Sequence, residues 1–282
     1  MKKVLSVLSV LVAMVSLLFT TSCGGNSGLL VEGKLYVAVS PDYAPYEFID
    51  STKSGQEQYV GADIEFAKYL AKELGLELVI EAVNFDLALS ALDTGKVDLA
   101  ISGFTYSDER AANYTMSKGY YEDGDGDQVV ITLKENATKY ATFEGLNKST
   151  VKVGAQVGSV QHDYVEQQLP NANLQDIDTI TNGVLYLVEG KIDALAISSE
   201  AADSLLATDA YKNSIVVCEE QFEVDDSHLY AIAKKGNTAL MEKVNEVIEK
   251  VVAENMYATW MVEAKELFIA LGDDAKEEAP DA

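Results

Sequence analysis

At 282 residues the chain has room for about two domains of roughly 150 residues and for a sizeable core, which excludes a peptide or a small disulfide scaffold. Hydrophobic residues at 48% and charged residues at 24%, with 4 Pro against 19 Gly, give a globular balance and exclude wholesale disorder. Acids outnumber bases 46 to 21 for a formal charge of −25, and no basic run exceeds a pair such as Lys234-Lys235, so no nucleic acid partner is expected.

Met1-Lys2-Lys3 opens onto an almost unbroken apolar run from Val4 to Phe19, followed by Thr20-Thr21-Ser22-Cys23. This pattern predicts a secretory signal over 1–22. It resembles the lipoprotein form of such signals, in which Cys23 becomes the lipidated first residue, carrying acyl chains such as palmitate. Thr20 stands where that signal usually has Leu, and an ordinary signal peptidase site is the alternative. Residues 23–32, beginning Cys23-Gly24-Gly25-Asn26-Ser27-Gly28, are expected to form a flexible tether. Loss of 1–22 removes two lysines and no acid, so the exported charge is −27. Cys218 is then the one other cysteine, expected as a small core hydrophobe. No further segment approaches the roughly 18 apolar residues of a membrane span.

From residue 33 onward, β-branched runs alternate with segments of helical period, the pattern of an α/β protein. Lys34–Val39 is predicted as a strand. Over 61–75, Ile64, Ala67, Leu70, Ala71 and Leu74 share one helix face and Gly75 is the stop. A strand over Leu76–Glu81, a helix over Phe85–Leu92 and a strand over Lys96–Ile101 complete a βαβαβ half. The syntax restarts with strand Val151–Ala155, helix Ser159–Leu169, strand Leu174–Ile177, helix Thr179–Glu189 and strand Lys191–Ile197. Leu92-Asp93-Thr94-Gly95-Lys96-Val97-Asp98 is echoed by Leu187-Val188-Glu189-Gly190-Lys191-Ile192-Asp193. Two similar lobes follow, with Gln128–Leu133 and His228–Ala233 expected as the strands that cross between them. Helices over Asn237–Ala253 and around Trp260–Leu271 close the chain. The expected division is 33–125 with 224–271 as the first lobe, 126–223 as the second, and 272–282 as an acidic disordered tail. Such a hinged clamshell takes its ligand in the crevice at the carboxyl ends of its strands.

The strand ending at Ile101 runs into Ser102-Gly103-Phe104-Thr105-Tyr106-Ser107-Asp108-Glu109-Arg110, and Arg110 is the one arginine of the chain against 20 lysines. Arginine offers a planar, two-toothed grip on a carboxylate that lysine cannot make. Ser102 and Thr105 would complete an anion cradle; a structural ion pair of Arg110 with Asp108 or another acid is equally open. Ser40-Pro41-Asp42-Tyr43-Ala44-Pro45-Tyr46-Glu47-Phe48 is a rigid aromatic loop, with Tyr43 the candidate for the crevice and Tyr46 and Phe48 for the core. Phe85 is a second candidate wall. Ala155-Gln156-Val157-Gly158-Ser159-Val160-Gln161 joins a strand to a helix N-terminus able to receive an anion.

Taken together, the Ser40–Phe48 loop, Gly61-Ala62-Asp63-Ile64, Phe85–Leu92, Gly95–Arg110, Tyr120-Tyr121, Gly158–Gln161 and Tyr257–Trp260 resemble the solute-binding proteins of polar amino acid ABC transporters, family 3, over about 33–265. The resemblance implies a type II, periplasmic-binding-protein-like clamshell of two α/β lobes: an extracytoplasmic, membrane-anchored monomer without a cofactor. It would deliver an amino acid to an ABC permease and ATPase. It implies that Arg110 holds the ligand α-carboxylate, with Ser159 and Val160 backbone groups donating from the second lobe. Ser102, Gly103 and Thr105 would supply carbonyl, N–H and hydroxyl contacts; Tyr43 and Phe85 would sandwich the side chain; Gln156 and Ser40 would line its pocket. Ser198 stands where the family often has an Asp for the ammonium, with Glu200 two places on. Ser40 replaces an Asp of several cationic binders, and Val160 a common Thr.

Other signals carry less. Asp123–Lys134 has acids at the first, third and fifth places of a calcium loop but Gln128 and Lys134 where Gly and Glu are needed. His162 and His228 lack metal-ligand spacing, so no metal is expected. Ser149-Thr150-Val151-Lys152 leads into a strand where an S-x-x-K nucleophile needs a helix, and Gly145–Thr150 lacks the second Gly of a P-loop. Two competing functions remain. The same clamshell serves cyclohexadienyl dehydratases, for which Glu47 or Glu200 would be the general acid, and it serves as the ligand-binding part of sensors.

Overall fold

The computed structural model describes residues 28–122, 128–224, 226–272 and 275–276. The expected signal, the lipidation expected at Cys23 and the acidic residues 123–127 of the calcium-loop comparison lie outside them.

In chain order the first lobe begins with β1 (Lys34–Val39), β2 (Phe48–Asp50), β3 (Tyr59–Val60), α1 (Ala62–Leu74) and β4 (Glu77–Ala82). It continues with α2 (Phe85–Asp93), β5 (Leu99–Ala100), α3 (Asp108–Asn113) and β6 (Tyr114–Glu122). The second lobe holds β7 (Gln128–Leu133), α4 (Phe143–Leu146), β8 (Lys152–Gln156), α5 (Val160–Gln168), β9 (Asn173–Ile177), α6 (Ile180–Val188), β10 (Ala194–Ser198), α7 (Ser199–Ala207) and β11 (Ile215–Val217). The chain returns through β12 (His228–Lys234), α8 (Thr238–Ala253), α9 (Met256–Leu271) and β13 (Ala275–Lys276).

Two five-stranded sheets result, in the orders β4-β1-β5-β12-β6 and β11-β7-β10-β8-β9. In the first, β1 runs parallel to β4 and β5, with Val37 opposite Ile80 and Leu99, while β12 is antiparallel to β5 and β6. In the second, β8 runs parallel to β9 and β10, and β7 is antiparallel to β10 with Val130 opposite Ala196. Period decides the packing. Ile64, Ala67, Leu70 and Ala71 of α1 are buried against Leu35, Val37 and Ile101, and Val184 and Leu187 of α6 against Ile177 and Leu195. The echoed aspartates act alike: Asp98 accepts from the N–H of Tyr36 in β1 (2.9 Å), and Asp193 from that of Lys152 in β8 (2.8 Å). Each ties the turn after a helix to a strand of its own lobe.

The two-lobed α/β clamshell is therefore present, with local departures from the sequence reading. The runs expected to cross between lobes do not cross. β7 pairs wholly within the second sheet and β12 within the first, and the crossings fall between Glu122 and Gln128 and between Val217 and His228. An apolar run without helical period looks the same in a central strand and in a crossing one. The tether is shorter than expected, since Asn237 Nδ2 donates to the Gly28 carbonyl (2.7 Å) and Leu30 N to Asp98 Oδ1 (2.6 Å). Within the expected tail, Ala275 and Lys276 pair with Asp50 and Ile49 of β2. Cys218 is buried, and burial pushes its thiol up to about 12. Among the described residues no helix is long and apolar enough to cross a membrane.

Candidate functional site

The carboxyl ends of β1 and β5 face those of β8 and the N-terminus of α6. One cavity there is lined by Tyr43, Phe85, Gly103, Thr105 and Arg110 from the first lobe and by Gln156, Ser159, Val160, Gln161 and Ile180 from the second. Ser40, Ser102 and Ser198, also singled out in the sequence, lie one layer behind. Ser40 Oγ donates to Asp42 Oδ1 (2.5 Å), and Ser102 Oγ to Glu47 Oε1 (2.5 Å). Ser198 caps α7, its Oγ accepting from Ala201 N (3.3 Å).

Arg110 sits in the short helix α3, which Ser107 opens by accepting the Arg110 N–H (3.2 Å). The guanidinium is buried, with Nη1 donating to the Thr105 carbonyl (2.7 Å) and Nη2 reaching across the seam to the Gly158 carbonyl (2.9 Å). It lies 5.1 Å over the Phe104 ring, which in turn stacks on Phe85 at 4.8 Å. Burial pulls its pKa down to about 10, and Asp163 and Glu109 oppose this from a distance. Among the described residues no carboxylate forms an ion pair with it. A structural ion pair with Asp108 is thus not what holds Arg110. Beside it, Thr105 Oγ1 is buried with no described hydrogen-bond partner. A buried cation and an unpartnered hydroxyl in one cavity wall match a carboxylate.

Two N–H groups expected to face that carboxylate are turned elsewhere. Gly103 N donates to Asp63 Oδ2 (2.7 Å), because a carboxylate buried under the loop needs every donor near it. Gly103 holds a left-handed φ of 59°, and the Tyr43 ring would meet a Cβ there at 3.4 Å. Ser159 N donates to the Gln156 carbonyl (3.1 Å), and its Oγ caps α5 through His162 N (3.2 Å). Val160 is the first residue of α5, where helix geometry provides no intrahelical acceptor for the N–H.

Beneath the cavity the first lobe buries three acids. Asp63 also accepts from Tyr120 Oη (2.8 Å) and Tyr257 Oη (2.6 Å). Glu47 is held well above the ordinary carboxylate range by its burial and by the charge of Asp63. Asp42 is pushed up to about 6 by its burial, against donation from Ser40, Ile180 and Gln156. Asp42, Gln161 and Ile180 were not singled out from the sequence. Asp42 sits inside a loop whose aromatics draw the eye, and an aliphatic residue opening a helix carries no chemical signal. Glu200 does not reach the cavity; Lys265 Nζ of α9 pairs with its Oε2.

A model of the family described as bacterial extracellular solute-binding proteins, family 3, matches residues 35–263. The arginine-binding extracellular protein ArtP of Bacillus subtilis (strain 168) is 27% identical over 234 residues, 82% of this chain and 86% of that protein. A crystal structure of an amino acid ABC transporter substrate-binding protein from Streptococcus pneumoniae Canada MDR_19A, bound to L-arginine, superposes with a TM-score of 0.75 at 34% identity, over 83% of this chain and 94% of that one. The ancestral amino acid-binding protein AncCDT-1, a precursor of cyclohexadienyl dehydratase, has a TM-score of 0.70 at 30% identity, over 84% and 96% of the two chains.

Proposed function

The chain belongs to the bacterial extracellular solute-binding proteins, family 3, and from that premise we propose that it carries a polar L-amino acid to an ABC importer, with Arg110 gripping the α-carboxylate. Binding an amino acid for such an importer, outside the cytoplasm, is what the family does. The residue roles, the ligand's polarity, a lipid anchor at Cys23 and a monomeric state are this reading's own additions. The observation that carries it is a buried arginine that bridges both lobes, has no described carboxylate partner and stands beside the unpartnered Thr105 hydroxyl. Tyr43 and Phe85 wall the ligand side chain, and the amides of Gln156 and Gln161 meet its polar end. A dehydratase on this fold needs a general acid facing the ligand, and neither Glu47, hydrogen-bonded beneath Ser102, nor Glu200, paired with Lys265, lines the cavity.

The test is a thermal-shift screen of the chain from residue 24 onward, unfolded and refolded to strip bound solute, against the common amino acids including L-arginine. A ligand at about 100 times its Kd adds roughly 2.7 kcal/mol, a rise of about 5 °C or more at this size. One or a few polar amino acids should produce it. A refolded protein that none of them shifts overturns the reading.

A further inference from the structure

Gln156 ends β8 and lines the cavity with an amide that carries one acceptor and two N–H donors. Which end faces the ligand is decided by what lies behind. Nε2 is 2.8 Å from Asp42 Oδ2 and 3.2 Å from the Asp178 carbonyl oxygen. Both neighbours accept, so both N–H groups are consumed behind the wall, and a turned-over amide would set its oxygen against two others. Asp42 is itself fixed, with Ser40 Oγ donating to Oδ1 (2.5 Å) and Ile180 N to Oδ2 (2.9 Å). It is fully buried, and no cation is among the groups that hold its charge. Gln161 Nε2 also has two acceptors, the Gln128 amide oxygen (2.6 Å) and Tyr43 Oη (3.5 Å), but both are neutral and hold it less firmly than a carboxylate would.

We infer that Asp42 is a specificity-determining positioning residue: by holding the Gln156 amide it leaves only an oxygen for the cavity, so the site takes a side chain ending in an N–H donor and rejects one ending in a carboxylate. This rests on the amino-acid reading of the cavity. An amide, guanidinium or ammonium would donate to Gln156 Oε1, with the Asp42 charge one group behind favouring it. A ligand carboxylate would face that oxygen and, past it, a buried anion, and repulsion of this kind discriminates as strongly as a lost contact.

Two readouts on the chain from residue 24 onward, which keeps every described residue, test the inference. Nitrogen-15 NMR of the Gln156 side-chain amide should find both hydrogens protected from exchange, and Asp42→Asn should speed their exchange at least tenfold. Calorimetry should find the better of L-glutamine and L-arginine bound roughly 100-fold or more tightly than L-glutamate. Asp42→Asn, which removes the buried charge behind Gln156, should narrow that ratio tenfold or more. Gln156→Leu, which removes the acceptor and leaves the Asp42 carboxylate in place, should narrow it too. Freely exchanging Gln156 hydrogens, equal affinity for L-glutamate, or a ratio that neither variant changes would each overturn the inference. Protected hydrogens alongside a panel that does not bind overturn the amino-acid reading instead.

Discussion

Arg110 carries the largest share of the site at the level of single residues, and its geometry fixes what lysine in its place would lose. Two of its N–H groups are spent on the Thr105 and Gly158 carbonyls, which orient the plane and leave other donors for a ligand carboxylate. A lysine brings one compact ammonium on a flexible stem and cannot make the paired contacts. Arg110→Lys should therefore weaken amino-acid binding by roughly 100-fold, the loss of one or two charge-assisted hydrogen bonds, and leave the melting temperature of the ligand-free protein almost unchanged. Calorimetry and a thermal melt check the two halves; a variant that binds as well as the parent would make Arg110 structural. This residue was legible in the sequence because it has no second copy in the chain. Asp42 was not, since a carboxylate in a loop gives no sign of burial until the second lobe is laid over it. The fate of Glu200 was equally hidden: its partner Lys265 lies far along the chain, in α9.

Elements were legible in proportion to how much of their pattern is local. The helix face of α1 follows from spacing alone, and so does the echo whose physical content is the pair Asp98 and Asp193, each tying its turn to a strand. By contrast β2, β3 and β13 have two or three residues each and exist only by pairing with one another. The junction of β3 and α1 shows how such pieces are locked. Gly61 precedes α1 with φ 126°, and a Cβ there would stand 2.2 Å from the Tyr46 carbonyl oxygen. Ala62 N donates to the Pro45 carbonyl (3.1 Å) and Asp63 N to the Tyr46 carbonyl (2.9 Å), so the helix start and the aromatic loop share one set of contacts. Gly61→Ala must strain the backbone and push this loop away, at about 3 kcal/mol or more in stability. Urea denaturation should give a midpoint well below that of the parent, with ligand affinity lowered too because Tyr43 moves with the loop; an unchanged midpoint would show that the loop yields freely.

At the scale of the whole molecule the lobes meet through few contacts, and several involve charge. Tyr43 Oη accepts from Ser198 N (3.2 Å), Arg110 reaches the Gly158 carbonyl, Lys265 pairs with Glu200, and Asp42 accepts from Gln156 and Ile180. Each replaces bonds to water and so contributes only about 0.5–3 kcal/mol net, while closing also dehydrates Asp42 and Arg110. The balance is near even, which lets a solute tip it and makes it sensitive to pH. With the lobes apart, water reaches Asp42 and its pKa returns toward 3.8; with them together it stands at about 6. The closed form therefore binds this proton more tightly. The contribution to closure is full below 3.8 and is lost as pH rises through about 6, a gain of about tenfold in the closed-to-open ratio between pH 7.5 and pH 5. Glu47 and Asp63 drop out because their partners Ser102, Gly103, Tyr120 and Tyr257 all belong to the first lobe. On the second lobe Asp178 is occupied by Asn182 (3.0 Å), and Asp163, raised by its own burial, faces Arg110, so Asp42→Asn is the control that isolates Asp42. Spin labels at Lys72→Cys in α1 and Gln167→Cys in α5, both exposed, would report the interlobe distance while the buried Cys218 thiol stays unlabelled. Without added amino acid, the ratio of short-distance to long-distance populations should rise about tenfold on acidification and most of that rise should vanish in Asp42→Asn; the same response in both proteins would place the titrating group elsewhere.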